Sequence, residues 1–186
     1  MKRTVLLLTL AALALAAPVA LAQSDLGLKR FGGAFGFVDP EGVGSTFSLG
    51  IFADHGTLAP HIGLESHLDY WSQSENFFGE ETSIRDLSLG VKSKYHFVVS
   101  NPKVMPFAGV GLGLHFLKAS STVPAFGPFP ATTYEASDTK VGFDLGGGVG
   151  TPLSPKTDLL GEMWFGVVDS ANTFSLRLAL SYKLGQ

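Results

Sequence analysis

Along nearly the whole chain after residue 30, apolar side chains recur at alternate positions. This is the repeat of a strand whose two faces meet different surroundings, not the 3.6-residue repeat of a helix. Phe47, Leu49, Ile51 and Ala53 form one series, Ile62, Leu64, Leu68 and Tyr70 the next, then Leu87, Leu89, Val91, Tyr95 and Phe97. Ala108, Val110, Leu112, Leu114 and Phe116 follow, then Val141, Phe143, Leu145 and Val149, and finally Phe174, Leu176, Leu178, Leu180 and Tyr182. Phe31, Phe35 and Phe37 open the set, and Met163, Phe165 and Val167 supply the seventh member, so eight strands are expected.

The breaks carry turn chemistry. Asp39-Pro40-Glu41-Gly42-Val43 is expected to form a type I turn followed by a left-handed glycine. Asp54-His55-Gly56 reads as a tight turn, and Ser100-Asn101-Pro102 and Pro152-Leu153-Ser154-Pro155 as short breaks. Two connections are longer, residues 72–81 and 119–137. With the N-terminus on the periplasmic side both lie outside, the loop asymmetry of an outer-membrane barrel.

Residues 1–22 read as a signal peptide: Lys2 and Arg3, an uncharged run from Thr4 to Ala17, then Ala20-Leu21-Ala22 before polar Gln23. Two of the 13 basic residues leave with it, so in 23–186, one barrel domain, 11 Lys and Arg face 16 Asp and Glu, a net charge of −5. No later apolar run reaches the length of a transmembrane helix, so any membrane crossing must be made by strands. The chain has no cysteine, which removes disulfides and thiolate chemistry. It also lacks a basic block, so no nucleic-acid partner is expected.

Alternation alone leaves open which face points inward. The apolar parity carries no central charge, whereas the other holds eleven glycines, Gly32 to Gly148, together with Glu65, Asp69, Lys92, Lys94, Asp144, Glu162 and Arg177. Glycine weakens a water-facing strand and adds no solubility, but it suits a crowded interior. An eight-stranded lumen is just wide enough to be filled by side chains. The seven charges, three positive and four negative, then form a luminal ion-pair network, since an isolated buried ion is costly. If Asp169-Ser170 is a tight turn, Glu162 faces Arg177. Tyr70, Tyr95, Phe97, Phe116, Trp164 and Tyr182 near segment ends suit interfacial girdles, although the parity that buries Glu162 also turns Leu160 and Trp164 inward.

Three stretches carry a resemblance: Lys94-Tyr95-His96-Phe97, Met105-Pro106-Phe107-Ala108-Gly109-Val110-Gly111-Leu112-Gly113, and Gly146-Gly147-Gly148-Val149-Gly150 with Leu159-Leu160-Gly161-Glu162. They resemble the small outer-membrane β-barrel proteins of the porin-like and OmpX or OmpA-barrel type, across essentially all of 23–186. The fold expected is all-β, an eight-stranded antiparallel up-and-down transmembrane β-barrel in the outer membrane of a Gram-negative-type bacterium. Such proteins finish on a terminal aromatic, whereas this chain ends Tyr182-Lys183-Leu184-Gly185-Gln186; either Tyr182 stands in or a different assembly signal operates.

No catalytic centre, metal site or cofactor is expected. His61, Glu65, His67 and Asp69 share a strand face, but neighbours two apart on one strand are about 6.5–7 Å apart, too far to chelate unaided. Neither long loop contains a histidine to activate its serines. The glycine strings lack the spacing and following Lys-Ser/Thr of a phosphate loop. What individuality there is lies in the loops, where Phe77, Phe78, Phe126, Phe129 and Tyr134 are candidate contact residues. The expected partners are outer-membrane lipid and lipopolysaccharide, with a host surface or another membrane protein at the loops; packing of the loops on each other to close the mouth is the alternative. The reading is a plugged structural or surface-interaction barrel. Its rivals are a narrow channel for small solutes and a soluble exported barrel with an apolar ligand.

Overall fold

The computed structural model describes residues 24–77, 80–125, 130–169 and 172–185. The expected signal peptide, 1–22, lies outside the described residues. Eight strands follow in order: β1 (Asp25–Pro40), β2 (Thr46–Ala59), β3 (Ile62–Phe77), β4 (Glu80–His96), β5 (Met105–Val123), β6 (Thr132–Pro152), β7 (Thr157–Val168) and β8 (Thr173–Lys183). Each pairs antiparallel with the next, and β8 returns to β1 through Arg30↔Lys183 to Pro40↔Thr173, which closes the barrel.

Orientation follows from exposure. Ile51, Leu178 and Leu49 are 60–62% exposed, while Lys92, Glu162 and Lys94 are 3–6% exposed. The apolar face is therefore outside and the charges are enclosed, the reverse of a soluble barrel around an apolar ligand. The outward side chains form a continuous apolar belt, and the lumen is the core.

Two sequence expectations are corrected. Asp54-His55-Gly56 is no turn: β2 runs through it with a bulge between Asp54 and Thr57, Gly56 at φ 82° and its N–H donating to Asp54 Oδ1 at 2.7 Å. The Asx-type bond and left-handed glycine that mark a turn serve equally well to absorb an extra residue in a strand. The reversal comes at Pro60-His61, with His61 at φ 63°.

The second correction concerns the long loops, 72–81 and 119–137. Most of each is strand: β3 and β4 stay paired to Phe77↔Glu80, and β5 and β6 to Val123↔Thr132. These stretches are rich in Ser, Thr and Glu, and above the lipid no face needs to be apolar, so the alternation that betrays a strand lower down is absent. Because β4 and β5 also remain paired to Glu81↔Thr122, β3–β6 continue upward as a four-stranded sheet.

Candidate functional site

One carboxylate organises the lumen. The β7–β8 hairpin sets Glu162 opposite Arg177, and the guanidinium Nη2 donates to Glu162 Oε2 at 2.6 Å while Nη1 donates to Asp69 Oδ1 at 2.8 Å. From β4, Lys94 Nζ donates to Glu162 Oε1 at 2.9 Å and to Glu65 Oε2 at 2.6 Å. Trp164 Nε1 adds a third donor to Glu162, at 3.1 Å. Lys92 Nζ stands 3.8 Å from Asp69 Oδ2 and 4.6 Å from the centre of the Trp164 ring. Side chains from β3, β4, β7 and β8 thus meet in one buried layer.

Glycines on β5 and β6, between β4 and β7, make room for it. A Cβ on Gly111 would lie 2.9 Å from Lys92 Cγ, one on Gly109 3.0 Å from the Trp164 ring, and one on Gly146 2.6 Å from Trp164 Cε3. The β5–β6 wall is bare because Lys92 and Trp164, from the flanking strands β4 and β7, lie over it.

On the outer side of this layer lies a chamber of about 50 Å³, lined in part by His67, Asp86, Asp144 and Trp71. His115 Nδ1 is 2.7 Å from Asp86 Oδ2 and closes one wall. On the periplasmic side a vestibule of about 630 Å³ opens, with His61 and His96 at its edge. Its seam side carries a clamp. Asp158 on β7 is fully buried and receives Arg30 Nη1 from β1 at 2.6 Å and Lys183 Nζ from β8 at 2.8 Å. Arg30 and Lys183 are themselves directly paired across the seam, so Asp158 offsets a like-charge contact.

Above the membrane the upper halves of β3–β6 stand alone. Pairing of β6 with β7 begins at Gly142↔Val168, so residues 132–141 have β5 on one side and, among the described residues, no strand on the other. A sequence model of the outer membrane protein beta-barrel domain matches residues 6–183. The chain belongs to that family. It is an outer-membrane β-barrel of a Gram-negative-type bacterium, built on the fold of other small barrels. Neisserial surface protein A matches with a TM-score of 0.62 at 17% identity, covering 83% of this chain and 96% of that one. A major outer membrane protein from Thermus thermophilus matches with a TM-score of 0.60 at 15% identity, covering 85% and 100%. Ail, the attachment invasion locus protein of Yersinia pestis, in complex with the heparin analogue sucrose octasulfate, matches with a TM-score of 0.56 at 11% identity, covering 85% and 100%. No curated protein matches the sequence.

Within this family member, the structure brings six of the seven luminal candidates together: Glu65, Asp69, Lys92, Lys94, Glu162 and Arg177 share the central layer. Asp144 lines the outer chamber and makes no ion pair within 4.0 Å among the described residues. Trp164, a girdle candidate, is 3% exposed and luminal, because it shares the parity of Glu162. Tyr70, Tyr95, Phe97, Phe116 and Tyr182 are exposed on the outside. Of the loop aromatics, Tyr134 is 64% exposed on β6, Phe77 ends β3, and Phe78, Phe126 and Phe129 lie outside the described residues.

Sequence reasoning missed Asp86 with His115, and the Arg30–Asp158–Lys183 clamp. Asp86 stood one residue before the first apolar position of its strand, and Arg30 and Lys183 just beyond the ends of theirs. Parity extended by one residue past the apolar series would have found Asp86, Arg30 and Lys183; Asp158 lies five residues before Met163 and needs a longer extension.

Proposed function

We propose that this protein is a non-enzymatic surface-interaction barrel. Its filled lumen serves as a rigid base, and its projecting β3–β6 sheet makes the contact. The observation that carries this reading is the open edge of β6, ten residues from Thr132 to Val141 with strand-forming Thr, Tyr and Val among them and, among the described residues, no strand paired on one side. An exposed edge offers unpaired N–H and C=O groups to which an extended segment can add as a further strand. The partner on this reading is a protein of a host surface or another membrane protein, met at 72–81 and 119–137 with Tyr134 on the edge itself. Outer-membrane lipid, including lipopolysaccharide, surrounds the belt below. Ail, named for attachment and invasion and bound to a heparin analogue in its complex, has a related fold and supports a surface role.

Ala119 and Ala136 are directly paired, so replacing 120–135 with Asn-Gly closes the hairpin on a two-residue turn without changing register. The shortened barrel should keep its heat-dependent gel shift and lose cell binding. Undiminished binding would overturn the proposal. A planar bilayer containing the full chain should conduct at background, since the ionic layer occupies the lumen; steady single-channel currents would favour a narrow channel instead. Residues 1–22 are proposed to be cleaved after Ala22, leaving 23–186, which N-terminal sequencing of outer-membrane protein tests.

A further inference from the structure

The outward face of β3–β6 changes chemistry in a single step. Tyr70, Leu87, Phe116 and Thr139 form one row in register across the four strands, and the next row toward the cell exterior is Ser72, Arg85, Lys118 and Ser137. Arg85 and Lys118 are directly opposite each other. Like charges in that position repel. Lys118 has one carboxylate, Glu135, at 3.0 Å, and Arg85 has no ion-pair partner among the described residues. Where these rows meet, a cleft of about 740 Å³ opens, with Tyr70, Leu87 and Phe116 below and Arg85 and Lys118 above; Asp138 also lines it and is held by Lys140 at 3.0 Å. The outward positions at the same rim on β1 and just past β7 are Asp39 and Asp169, so basic charge is confined to this sector.

We infer that this cleft binds the phosphate of an outer-leaflet glycolipid, with an acyl chain lying over Leu87, Phe116 and the exposed Leu89 and Leu114 beneath them. An anion between Arg85 and Lys118 relieves their repulsion, and a guanidinium presents paired donors that match phosphate oxygens. The apolar row lies one step, about 7 Å, below, the offset between the headgroup and chain of a lipid. Higher up, the sheet carries Glu75, Glu80, Glu81 and Glu135, which repel a soluble polyanion approaching from outside but leave a lipid entering from the side unhindered. The inference takes from the proposed function only that lipid surrounds the belt, not that the sheet edge binds a protein.

The test is binding of diphosphoryl lipid A to the full-length barrel in detergent, read by native mass spectrometry. The Arg85→Gln/Lys118→Gln double variant should bind about thirtyfold more weakly. Lys103→Gln/Lys156→Gln at the periplasmic end should match the parent, and dephosphorylated lipid A should bind the parent and the Arg85/Lys118 variant equally. All variants are first checked for the folded gel shift, and single substitutions replace the double if it fails to fold. Equal lipid A binding by parent and variant would overturn the inference. So would sucrose octasulfate binding at Arg85 and Lys118 as tightly as lipid A, which would assign the cleft to a soluble sulfated glycan. The barrel shortened at 120–135 retains both basic residues and should retain lipid A even where it no longer binds cells, so the two proposals fail separately.

Discussion

Glu162→Ala removes the acceptor of three hydrogen bonds at once, from Arg177, Lys94 and Trp164. Two of these join opposite charges and all lie in a layer that is largely closed to solvent. Neither cation becomes wholly unpaired, because Arg177 keeps Asp69 at 2.8 Å and Lys94 keeps Glu65 at 2.6 Å. The cost is therefore that of breaking one buried pair, about 3–5 kcal/mol, and not the sum of three separate bonds. The assay is urea unfolding of the folded barrel in a fixed lipid. The only two tryptophans, Trp71 and Trp164, are 6% and 3% exposed, so their emission reports the lumen. Glu162→Gln retains shape and an acceptor and should lose less. Replacing both Glu162 and Arg177 with methionine removes the two partners together and should be milder than the two alanine substitutions added together. A Glu162→Ala barrel within about 1 kcal/mol of the parent, the range of a solvent-exposed pair, would refute the reasoning that this carboxylate organises the lumen.

Gly146→Ala should destabilise by about 1–3 kcal/mol in the same titration, because the added methyl meets the Trp164 ring and the Met163 carbonyl; Gly161→Ala, whose methyl meets nothing within 4 Å, is the control. Leu112→Lys, at an outward position 57% exposed in the middle of β5, should lose about 2–4 kcal/mol in lipid, and a neutral result would contradict the orientation of the belt. Asp158→Ala should lose about 2 kcal/mol, discounted because Arg30 and Lys183 keep a third of their surface in water. The accompanying rise in unfolding rate is measured by the decay of the heat-sensitive gel band in urea.

The barrel is legible in the sequence because lipid and lumen impose opposite demands on successive residues. Leu49 and Gly50, or Leu112 and Gly113, could not exchange places without putting an apolar chain where space is short. Glu162 opposite Arg177 was legible for a related reason: an expected tight turn at Asp169-Ser170 fixes register by counting, and although Ser170 lies outside the described residues the register is the one expected. Where lipid ends, the signal ends too. Residues 73–77 and 119–123 are paired strands whose Ser, Thr, Gln and Glu obey no binary rule, and only their pairing in the fold shows that they continue upward. The Gly56 bulge is similarly ambiguous, since a left-handed glycine after an Asx bond serves a bend and a reversal alike. Partners brought together by closure, such as Arg30 with Asp158, are beyond local pattern, because nothing near either residue in the chain specifies the other.

That last contact has a consequence for assembly. Lys183 reaches Asp158 within the final hairpin, 25 residues away, whereas Arg30 is separated from it by 128. A chain with seven of its eight strand pairings made already holds the first of these contacts but not the second, so the Arg30 guanidinium is a reporter of ring completion. Until the two ends of the sheet meet, Arg30 has Asp54 of the neighbouring strand at 3.5 Å but not the buried Asp158, and an incomplete ring stays electrostatically distinct from a finished one.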